Sequence, residues 1–529
     1  MRILYPLFIK ELIISGAKTP DDLAVIKRRL AKKYIIQCPA NVDLLKAYHN
    51  LVKNRTIKAS NKIEVLLRTR PVRSLSGIVN ISVLTKPYPC PGKCLYCPIE
   101  KGIPKSYVSG EPAVERAKRL KYDPYLQTKK RIEMLEAEGH PTDKIELRVV
   151  GGTWSYYPKK YQLWFVKRCF DACNIRKGKT MVAVLRNNET AKHRIVGLSI
   201  ETRPDFINPE EIKWLRELGA TMVELGVQSI YDDILKFNLR GHGVKEIIQA
   251  TKFLKNAGFK VLYQMMPNLP GSTPGRDLKM FKELFADPKF QPDMLKIYPC
   301  ALIKASPLYK LWQKKLYKPY AEKQLVGLVK SIKKIIPCYV RIQRIARDIP
   351  SHSIVAGPAK ISNLRQMVAG NCKCIRCREV KEDYDAKEKI HMFRENYDAS
   401  DGKEIFLSFE NKNRAKLYSL LRLRINSDGI ATIREIHTYG QLQPIERSPT
   451  PLNSPQHRGL GRKLVKEAER IAKKSASRRI AVISGVGVRG YWRKLGYKLE
   501  NTYMMKKLHF VRGDEYLDLR NPLKFEWIS

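Results

Sequence analysis

Between about residues 76 and 350, short apolar runs alternate with longer amphipathic segments. The runs are residues 77–84, 145–150, 195–200, 222–227, 261–266 and 294–298. Helical patterns lie between them, for example Glu210 to Leu218 and Val244 to Ala257. Strands that alternate with helices form a parallel sheet wrapped by helices. About six such units predict an α/β domain with an incomplete (βα)6 barrel.

A different pattern begins near residue 403. Residues 405–409, 416–425 and 430–439 alternate as strands of an antiparallel meander, and residues 463–474 follow as an amphipathic helix. A strand at residues 480–484 and a short helix with a last strand around residues 491–497 complete the pattern. The C-terminal part is therefore predicted to be an α+β domain.

Two further segments complete the predicted organisation. In residues 1–75, Thr19 and Pro20 read as a capped helix start, after which apolar residues line one face and basic residues the other. Residues 351–402 read as a cysteine-rich linker. The predicted domains are 1–75, a basic helical module; 76–350, the barrel; 351–402, the linker; and 403–529, the α+β domain.

The net charge of the chain indicates the class of its binding partner. The formal net charge is +49, an excess that favours a nucleic-acid partner. Apolar residues make up 43% of the chain, but no run approaches the ~20 uncharged residues of a membrane span. Lys10 and Glu11 interrupt the N-terminal apolar stretch, so we expect neither a signal peptide nor a membrane segment, and a cytoplasmic location.

Cys90, Cys94 and Cys97 have the spacing C-x3-C-x2-C. Three thiolates hold an iron-sulfur cube and leave one iron open to another ligand. A zinc knuckle, the alternative, usually has a second ligand pair nearby, and none follows Cys97 at short range. The motif therefore predicts a reactive 4Fe-4S cluster.

A second cluster, Cys372, Cys374 and Cys377, lies in the linker. Its C-x-C-x2-C spacing places three thiolates on a tight turn and predicts structural zinc. The fourth ligand is left open between His352, Cys338 and water, and a second redox cluster is the alternative.

Polar residues follow the predicted barrel strands, where active sites of such barrels gather. Gly151, Gly152 and Thr153 follow the second run, Glu201 and Arg203 the third, and Gln228 the fourth. A cysteine cluster after the first strand and a glycine pair after the second are the layout of a radical S-adenosylmethionine enzyme. The glycines admit the methionyl part of the cofactor, and Glu201 and Arg203 suit its ribose and carboxylate. The alternative is that Glu201 and Arg203 pair only with each other.

The loop Gln456-x-x-Gly459-Leu460-Gly461-Arg462 opens a predicted helix. A helix N-terminus with glycines presents free N–H groups to a pyrophosphate. Together with the meander before it and Tyr491-Trp492 after it, the loop predicts an acetyl-coenzyme A-binding acetyltransferase (GNAT) domain.

The two halves together resemble the family of the catalytic third subunit of Elongator and its single-chain prokaryotic homologues. Besides the motifs above, the resemblance rests on six segments: Tyr122–Thr128, Ser199–Asp205, Glu224–Ser229, Arg240–His242, Arg347–Pro350 and Ala481–Gly487.

The resemblance implies an enzyme that converts the wobble uridine, position 34 of tRNA, to 5-carboxymethyluridine by 5′-deoxyadenosyl radical chemistry, with acetyl-coenzyme A as carbon source. For the anticodon stem-loop, the expected phosphate contacts are the Lys and Arg residues of 1–75, with Arg341, Arg344 and Arg347 near the barrel rim. A homodimer or Elongator-like partner subunits are compatible with the resemblance. It assigns acetyl-coenzyme A binding to Lys144, Glu435, Ile436, His437, Thr438, Leu460, Gly461 and Arg462. Tyr491 is the expected catalytic tyrosine, with Lys144 beside it, while Trp492 stands where the family often has a second tyrosine.

Two alternatives stay open at this stage. The first is a protein lysine acetyltransferase with a structural iron-sulfur cluster, which would not need S-adenosylmethionine. The second is a basic RNA-binding scaffold without catalysis, in which acetyl-coenzyme A only supports folding.

Overall fold

The structure is a computed structural model that describes residues 4–361, 363–381, 383–443, 445 and 454–509, so the end of the predicted C-terminal domain, 510–529, lies outside it. Four helices form the N-terminal module: α1 (Tyr5–Ile14), α2 (Pro20–Lys33), α3 (Asn41–Lys53) and α4 (Asn61–Leu67). The predicted cap of α2 is confirmed, because the Asp22 amide donates to Thr19 Oγ1 at 3.1 Å. The module packs on the next domain through Arg68 Nε, which donates to the Gly139 carbonyl at 2.8 Å.

Seven strands, not six, form a parallel sheet whose spatial order is the chain order. They are β1 (Val79–Leu84), β2 (Lys144–Val150), β3 (Arg194–Thr202), β4 (Met222–Gln228), β5 (Lys260–Met265), β6 (Met294–Ile297) and β7 (Arg341–Ile345). The predicted number of units was wrong because β7 carries two arginines and a glutamine in five residues and lacks an apolar run.

Helices cover the outer face of this sheet. They are α5 (Pro112–Arg119), α6 (Pro124–Ala137), α7 (Lys159–Cys173), α8 (Met181–Asn188), α9 (Pro209–Glu217), α10 (Asp232–Phe237), α11 (Val244–Asn256), α12 (Pro274–Ala286), α13 (Leu308–Gln313) and α14 (Glu322–Ile335). The outward side chains of the strands, such as Val79, Ile81 and Val83, join the main apolar core.

The inner face of the sheet is polar. Glu146, Arg148, Glu201, Glu224 and Lys296 alternate with outward apolar residues along their strands. Closed barrels usually fill this space with branched apolar side chains. The interior here is therefore built to hold polar groups rather than to pack as a core.

The second sheet also has seven strands, in the order β13-β14-β12-β11-β10-β9-β8. Its strands are β8 (Ile390–Ala399), β9 (Gly402–Asn411), β10 (Leu417–Ile425), β11 (Ile430–Thr438), β12 (Arg479–Val482), β13 (Lys498–Glu500) and β14 (Tyr503–Lys507). Helices α15 (Leu364–Met367) and α16 (Ile375–Arg378) precede it, and α17 (Leu460–Lys474) and α18 (Arg489–Arg493) pack with it. β8 lies within the segment that the sequence assigned to the linker.

A buried network of charges joins the two sheets. Asp293, at the start of β6, lies 3.0 Å from Arg434 Nη1 on β11, and the same nitrogen lies 2.8 Å from Glu404 on β9. Both partners of each pair are fully buried. Because removing one partner would leave a buried charge uncompensated, the network fixes the sheets against each other.

Among the described residues, no helix is both long and apolar enough to span a membrane.

Candidate active site

A cavity of about 280 Å³ opens at the carboxyl ends of the parallel strands. The structure brings together here all the residues predicted for the first site: Cys90, Cys94, Cys97, Gly151, Gly152, Thr153, Glu201, Arg203 and Gln228. The cysteines belong to the loop after β1 and the glycines to the loop after β2. A parallel sheet places these loops at one edge, which is why residues far apart in the chain meet.

The cysteine loop lies in a positive environment. Arg240 Nη1 is 3.5 Å from the sulfur of Cys94, and Thr153 Oγ1 is 3.5 Å from that of Cys90. A hydrogen bond from Cys97 and the charge of Arg240 outweigh burial and lower the pKa of Cys94 to about 4. The thiolate form is thus favoured at Cys94, whereas its hydrogen bond to Cys94 and burial raise the pKa of Cys97.

Glu201 and Arg203 do not pair with each other. Glu201 Oε1 lies 3.0 Å from Lys296 Nζ, and its Oε2 accepts from the Tyr107 hydroxyl at 3.1 Å. Arg203 donates to Asp205 at 2.9 and 2.8 Å. The alternative of a single capping ion pair was therefore wrong, and each residue is held in the cavity wall by its own partner.

Polar atoms in this cavity are left for a ligand. Within the described part of the chain, Arg203 Nη1 and Gln228 Oε1 are buried without a hydrogen-bond partner. Two glycines of this cavity have no room for a side chain. A Cβ added to Gly92 would lie 2.4 Å from Arg203 Nη1, and a Cβ added to Gly151 would lie 1.9 Å from Thr85 Oγ1. Gly151 also has a φ of 150°. Buried polar atoms without partners are costly unless something binds them.

A second cavity, of about 1030 Å³, lies between the amino ends of the first three barrel strands and the second sheet. Every residue predicted for the acetyl-coenzyme A site lines it: Lys144, Glu435, Ile436, His437, Thr438, Gln456, Gly459, Leu460, Gly461, Arg462, Tyr491 and Trp492. Both sheets therefore build this site.

Lys144 joins the barrel to the glycine loop. Its Nζ lies 3.1 Å from Gln456 Oε1 and 3.2 Å from His457 Nε2. Burial lowers the pKa of Lys144 to about 8. Gln456 also donates to the Thr438 carbonyl at 2.9 Å, so Lys144 and the loop are held in one network.

The two aromatic residues of α18 have different environments. Tyr491 is 38% exposed, and its hydroxyl lies 3.2 Å from the position of a Cβ on Gly461. Trp492 is 1% exposed, and its ring lies 5.2 Å from the ring of Tyr497 in the core of the second sheet. Tyr491 thus faces the glycine loop, whereas Trp492 contributes mainly to packing.

Glu435 and His437 stabilise the wall of this cavity through fixed partners. Glu435 lies 3.2 Å from Lys260 Nζ on the barrel and 2.8 Å from Arg422 Nε. His437 Nε2 lies 2.7 Å from the Ser76 carbonyl. These side chains connect the second sheet to the barrel.

The comparisons with known proteins agree with this arrangement. Residues 88–284 match the Radical SAM superfamily, and residues 292–373 match the Radical_SAM C-terminal domain. The chain is 46% identical to the tRNA uridine(34) acetyltransferase of Methanocaldococcus infernus, covering 96% of this chain and 99% of that protein. It is 36% identical to the Elongator complex protein 3 of Homo sapiens, covering 94% and 96%.

The chain belongs to the Elongator complex protein 3 family. A solved structure of M. infernus Elp3 that lacks its N-terminus superposes with a TM-score of 0.72 at 44% identity, covering 82% of this chain and all of that one. The resemblance drawn from the sequence is confirmed.

Membership of the radical S-adenosylmethionine superfamily implies a 4Fe-4S cluster and S-adenosylmethionine, and the first cavity fits both. Cys90, Cys94 and Cys97 supply three thiolates. Arg203 Nη1 and Gln228 Oε1 provide unpaired polar atoms for the cofactor.

The second cysteine cluster in this family member is compact. The sulfurs of Cys372, Cys374 and Cys377 all lie within 4.8 Å of one another. Among the described residues, neither Cys338 nor His352 lies in that group. The cluster adjoins the last barrel strand, because the Ile375 amide donates to the Val340 carbonyl at 2.9 Å.

The sequence interpretation missed several residues of the first cavity: Tyr107, Arg148, Arg240, Gln264 and Lys296. A signal was present for those in strands, because polar residues alternate with apolar ones at Arg148, Gln264 and Lys296. A fully covered parallel strand normally reads as a continuous apolar run.

One predicted phosphate contact was wrong. Arg341 is 9% exposed and pairs with Glu379, beside the Tyr439 hydroxyl at 3.4 Å. It therefore links the barrel to the second sheet and is not available to RNA. Arg344 pairs with Asp348, and Arg347 lies 3.3 Å from Glu111; both line the first cavity.

Proposed function

We propose that this chain forms 5-carboxymethyluridine at the wobble uridine of tRNA, using acetyl-coenzyme A and S-adenosylmethionine. Relatives named tRNA uridine(34) acetyltransferase that match nearly its whole length support this. The observation that carries the proposal is that one barrel builds part of both cavities. Strand β2 alone contributes Arg148 to the first and Lys144 and Glu146 to the second.

The chemistry explains why two sites are needed. Carbon 5 of uridine is a poor nucleophile and an acetyl methyl group is a poor acid, so polar acyl transfer cannot join them. When bound, the cluster and S-adenosylmethionine supply one-electron chemistry that removes hydrogen from an unactivated carbon. The chain's own residues hold the cluster, bind the cofactor through Arg203 and Gln228, and shield both from water.

In the second cavity we propose that the domain built on β8 to β14 is an acetyltransferase (GNAT) domain that binds acetyl-coenzyme A. Gly459 has a φ of 82° at the start of α17, which turns the amides of Leu460, Gly461 and Arg462 toward a pyrophosphate. Tyr491 faces the same loop and is placed to orient the thioester. Hydrolysis of the thioester then releases the carboxymethyl product. Water attacks the thioester carbonyl, and coenzyme A leaves as the thiol.

For the second cysteine cluster we propose zinc. Three thiolates within 4.8 Å suit one tetrahedral ion with water as fourth ligand. Since the cluster adjoins β7 and leads into the second sheet, the ion would stabilise the junction of the domains.

The anticodon stem-loop would bind a cluster of arginines beside the first cavity. Burial and the charges of Arg116, Arg73 and Arg70 lower the pKa of Arg131 to about 10. Burial and the charges of Arg119 and Arg73 likewise lower the pKa of Arg116, which lines the first cavity. Like charges held this close favour phosphate binding. This surface contains residues of both the predicted N-terminal module, 1–75, and the barrel.

An anaerobic assay tests the proposal. It contains the reconstituted protein, a reductant, S-adenosylmethionine, ¹³C-methyl acetyl-coenzyme A and bulk tRNA, which is then digested for nucleoside mass spectrometry. We expect ¹³C in carboxymethyluridine with the native chain and at least a 100-fold loss with Cys94→Ala. Cys38→Ala, an exposed cysteine outside both clusters, is the matched control and should retain activity. Unmodified uridine with the native chain would overturn the proposal.

A further inference from the structure

Neighbouring inward-facing residues of strand β2 line the two cavities. The side chain of Arg148 lines the first cavity, and that of Glu146 lines the second. Successive side chains on one face of a strand are two residues apart, or roughly 6.6 Å. The interior of the barrel therefore separates the cavities by a single pair of side chains along this strand.

Those two side chains are bonded to each other. Arg148 Nε and Nη2 donate to Glu146 Oε1 at 2.8 and 2.5 Å. Burial raises the pKa of Glu146, but the charges of Arg148 and Lys260 outweigh it and lower the pKa to about 2. The carboxylate is ionised, and the pair closes the interior at this level.

Small and polar residues surround the pair on the neighbouring strands. The neighbouring inward positions hold Asn80 and Ser82 on β1 and Gly197 and Ser199 on β3, all small or medium side chains. Asn80 and Ser82 are partly exposed, although the residues on either side of them are fully buried in the outer core. By contrast, three buried apolar side chains pack together on the far side: Met222, Leu262 and Met294.

Arg148 has a second carboxylate to move toward. Burial lowers its pKa, and the carboxylates of Glu146 and Glu224 together more than offset this. Glu224 lies on β4, accepts from Ser199 Oγ at 3.0 Å and also pairs with Lys296. A guanidinium that leaves Glu146 therefore stays near a counter-charge, which lowers the cost of opening.

We propose that the acyl end of a coenzyme A thioester passes through the barrel interior, between β1 and β3, from the second cavity to the first, with the Glu146–Arg148 ion pair as the gate. This rests on the function proposed above. An acetyl thioester is small and uncharged, so it suits a passage lined by serine, asparagine and glycine and needs no charged partner on the way.

Photocrosslinking tests the route without relying on turnover. The probe is an acyl-coenzyme A with a diazirine on the acyl chain, irradiated with the full-length, cluster-loaded protein in the presence of tRNA and mapped by peptide mass spectrometry. We expect crosslinks beyond the gate, at Ser82 or Val150 of the first cavity. Crosslinks confined to Gly461, Tyr491 and His437 would overturn the passage while leaving the proposed function standing. A probe that labels neither cavity would contradict both.

A bulky substitution at Gly197 is expected to block the passage, and Gly197→Ala is its matched control. A Cβ on Gly197 would lie 3.6 Å from Glu146 Cγ and 3.7 Å from Thr221 Oγ1, which are ordinary contacts. Gly197→Ala should thus keep the native crosslinks. Gly197→Leu fills the space beside the gate, so we expect crosslinking at Ser82 and Val150 to fall at least 10-fold. Crosslinking at Tyr491 and cleavage of S-adenosylmethionine should stay within 2-fold.

Undiminished crosslinking beyond the gate in Gly197→Leu would overturn the proposal. If this variant does not fold, the crosslink map of the native chain decides alone.

Discussion

Lys144 shows how the charge of a single residue is disfavoured by burial at the proposed coenzyme A site. Its amine is mostly buried between the barrel and the glycine loop, with Gln456 and His457 as its polar contacts. Burial opposes its charge and lowers its pKa to about 8, and nearby Asp143 offsets this only in part. A chain that only had to fold would gain stability from an apolar residue here.

Lys144→Met should therefore stabilise the unliganded protein while weakening coenzyme A binding. At pH 7 we expect the free energy of unfolding to rise by about 1–2 kcal/mol, part of the cost of a shift from 10.5 to about 8. The unfolded state binds this proton more tightly, so native stability rises with pH between these two values. The advantage of the variant should then shrink between pH 7.5 and 10.

Chemical denaturation of both proteins at those two pH values checks this prediction. An equal gain in the free energy of unfolding at both pH values would show that burial does not lower the pKa of Lys144. Unchanged coenzyme A affinity would remove Lys144 from the binding site.

At the scale of elements, the turn between β12 and α18 shows why its glycines are needed. It packs against β3 of the barrel, so closely that a Cβ on Gly485 would lie 2.0 Å from the Val196 carbonyl oxygen. A Cβ on Gly487 would lie 2.6 Å from the Cβ of Arg194. These glycines permit contact between the two domains and are not part of the coenzyme A loop.

Gly485→Ala should destabilise the folded chain by about 1–3 kcal/mol, since backbone must move to admit the methyl group. Gly490→Ala is the matched control, because nothing lies within 4 Å of its Cβ position in α18; it should be neutral or slightly stabilising. Thermal unfolding measures both. Equal melting temperatures for the native chain and Gly485→Ala would mean that the two domains do not pack as closely as described.

The elements that the sequence predicted well are those with a strong apolar pattern. β2, β4 and α17 begin and end within a few residues of the predicted bounds, because apolar residues repeat there with a clear period. β7 and β8 were missed because charged and polar residues occupy many of their positions. These two strands join their sheets by pairing with β6 and β9, and no local sequence pattern indicates that pairing.

The residues of the candidate sites also differ in whether the sequence could predict them. Residues at the ends of parallel strands, such as Gly151 and Glu201, were predictable because the topology brings those ends together. Lys296, which lies 3.0 Å from Glu201, is 95 residues away in the chain. No local pattern connects these two, although a lysine within an apolar strand is itself a signal. The contact between Lys144 and Gln456 spans 312 residues and was not predicted. Family resemblance assigned Lys144 to the acetyl-coenzyme A site, and the glycine-loop motif assigned Gln456.

For the whole molecule, the net charge of +49 predicts how RNA binding depends on salt. Each phosphate neutralised releases counterions, so we expect a steep fall of tRNA affinity as salt rises. Arg131→Gln should reduce the slope of log affinity against log salt by about one unit. Arg470→Gln removes the same charge from α17, where Arg470 pairs with Glu467 at 2.7 Å, and should leave the slope nearly unchanged.

Binding measured by fluorescence anisotropy between 50 and 300 mM salt would distinguish these cases. A flat profile for the native chain would contradict an electrostatic tRNA surface. Equal slopes for the two variants would place that surface elsewhere.

The central claim is that the two cavities act on one acetyl group. The most direct measurement supplies CD₃-acetyl-coenzyme A, S-adenosylmethionine and tRNA to the reduced, cluster-loaded protein and determines the deuterium content of the 5′-deoxyadenosine formed. The account predicts deuterium in 5′-deoxyadenosine, together with deuterium in carboxymethyluridine. Deuterium-free 5′-deoxyadenosine alongside unmodified tRNA would contradict it, because the two sites would then work independently.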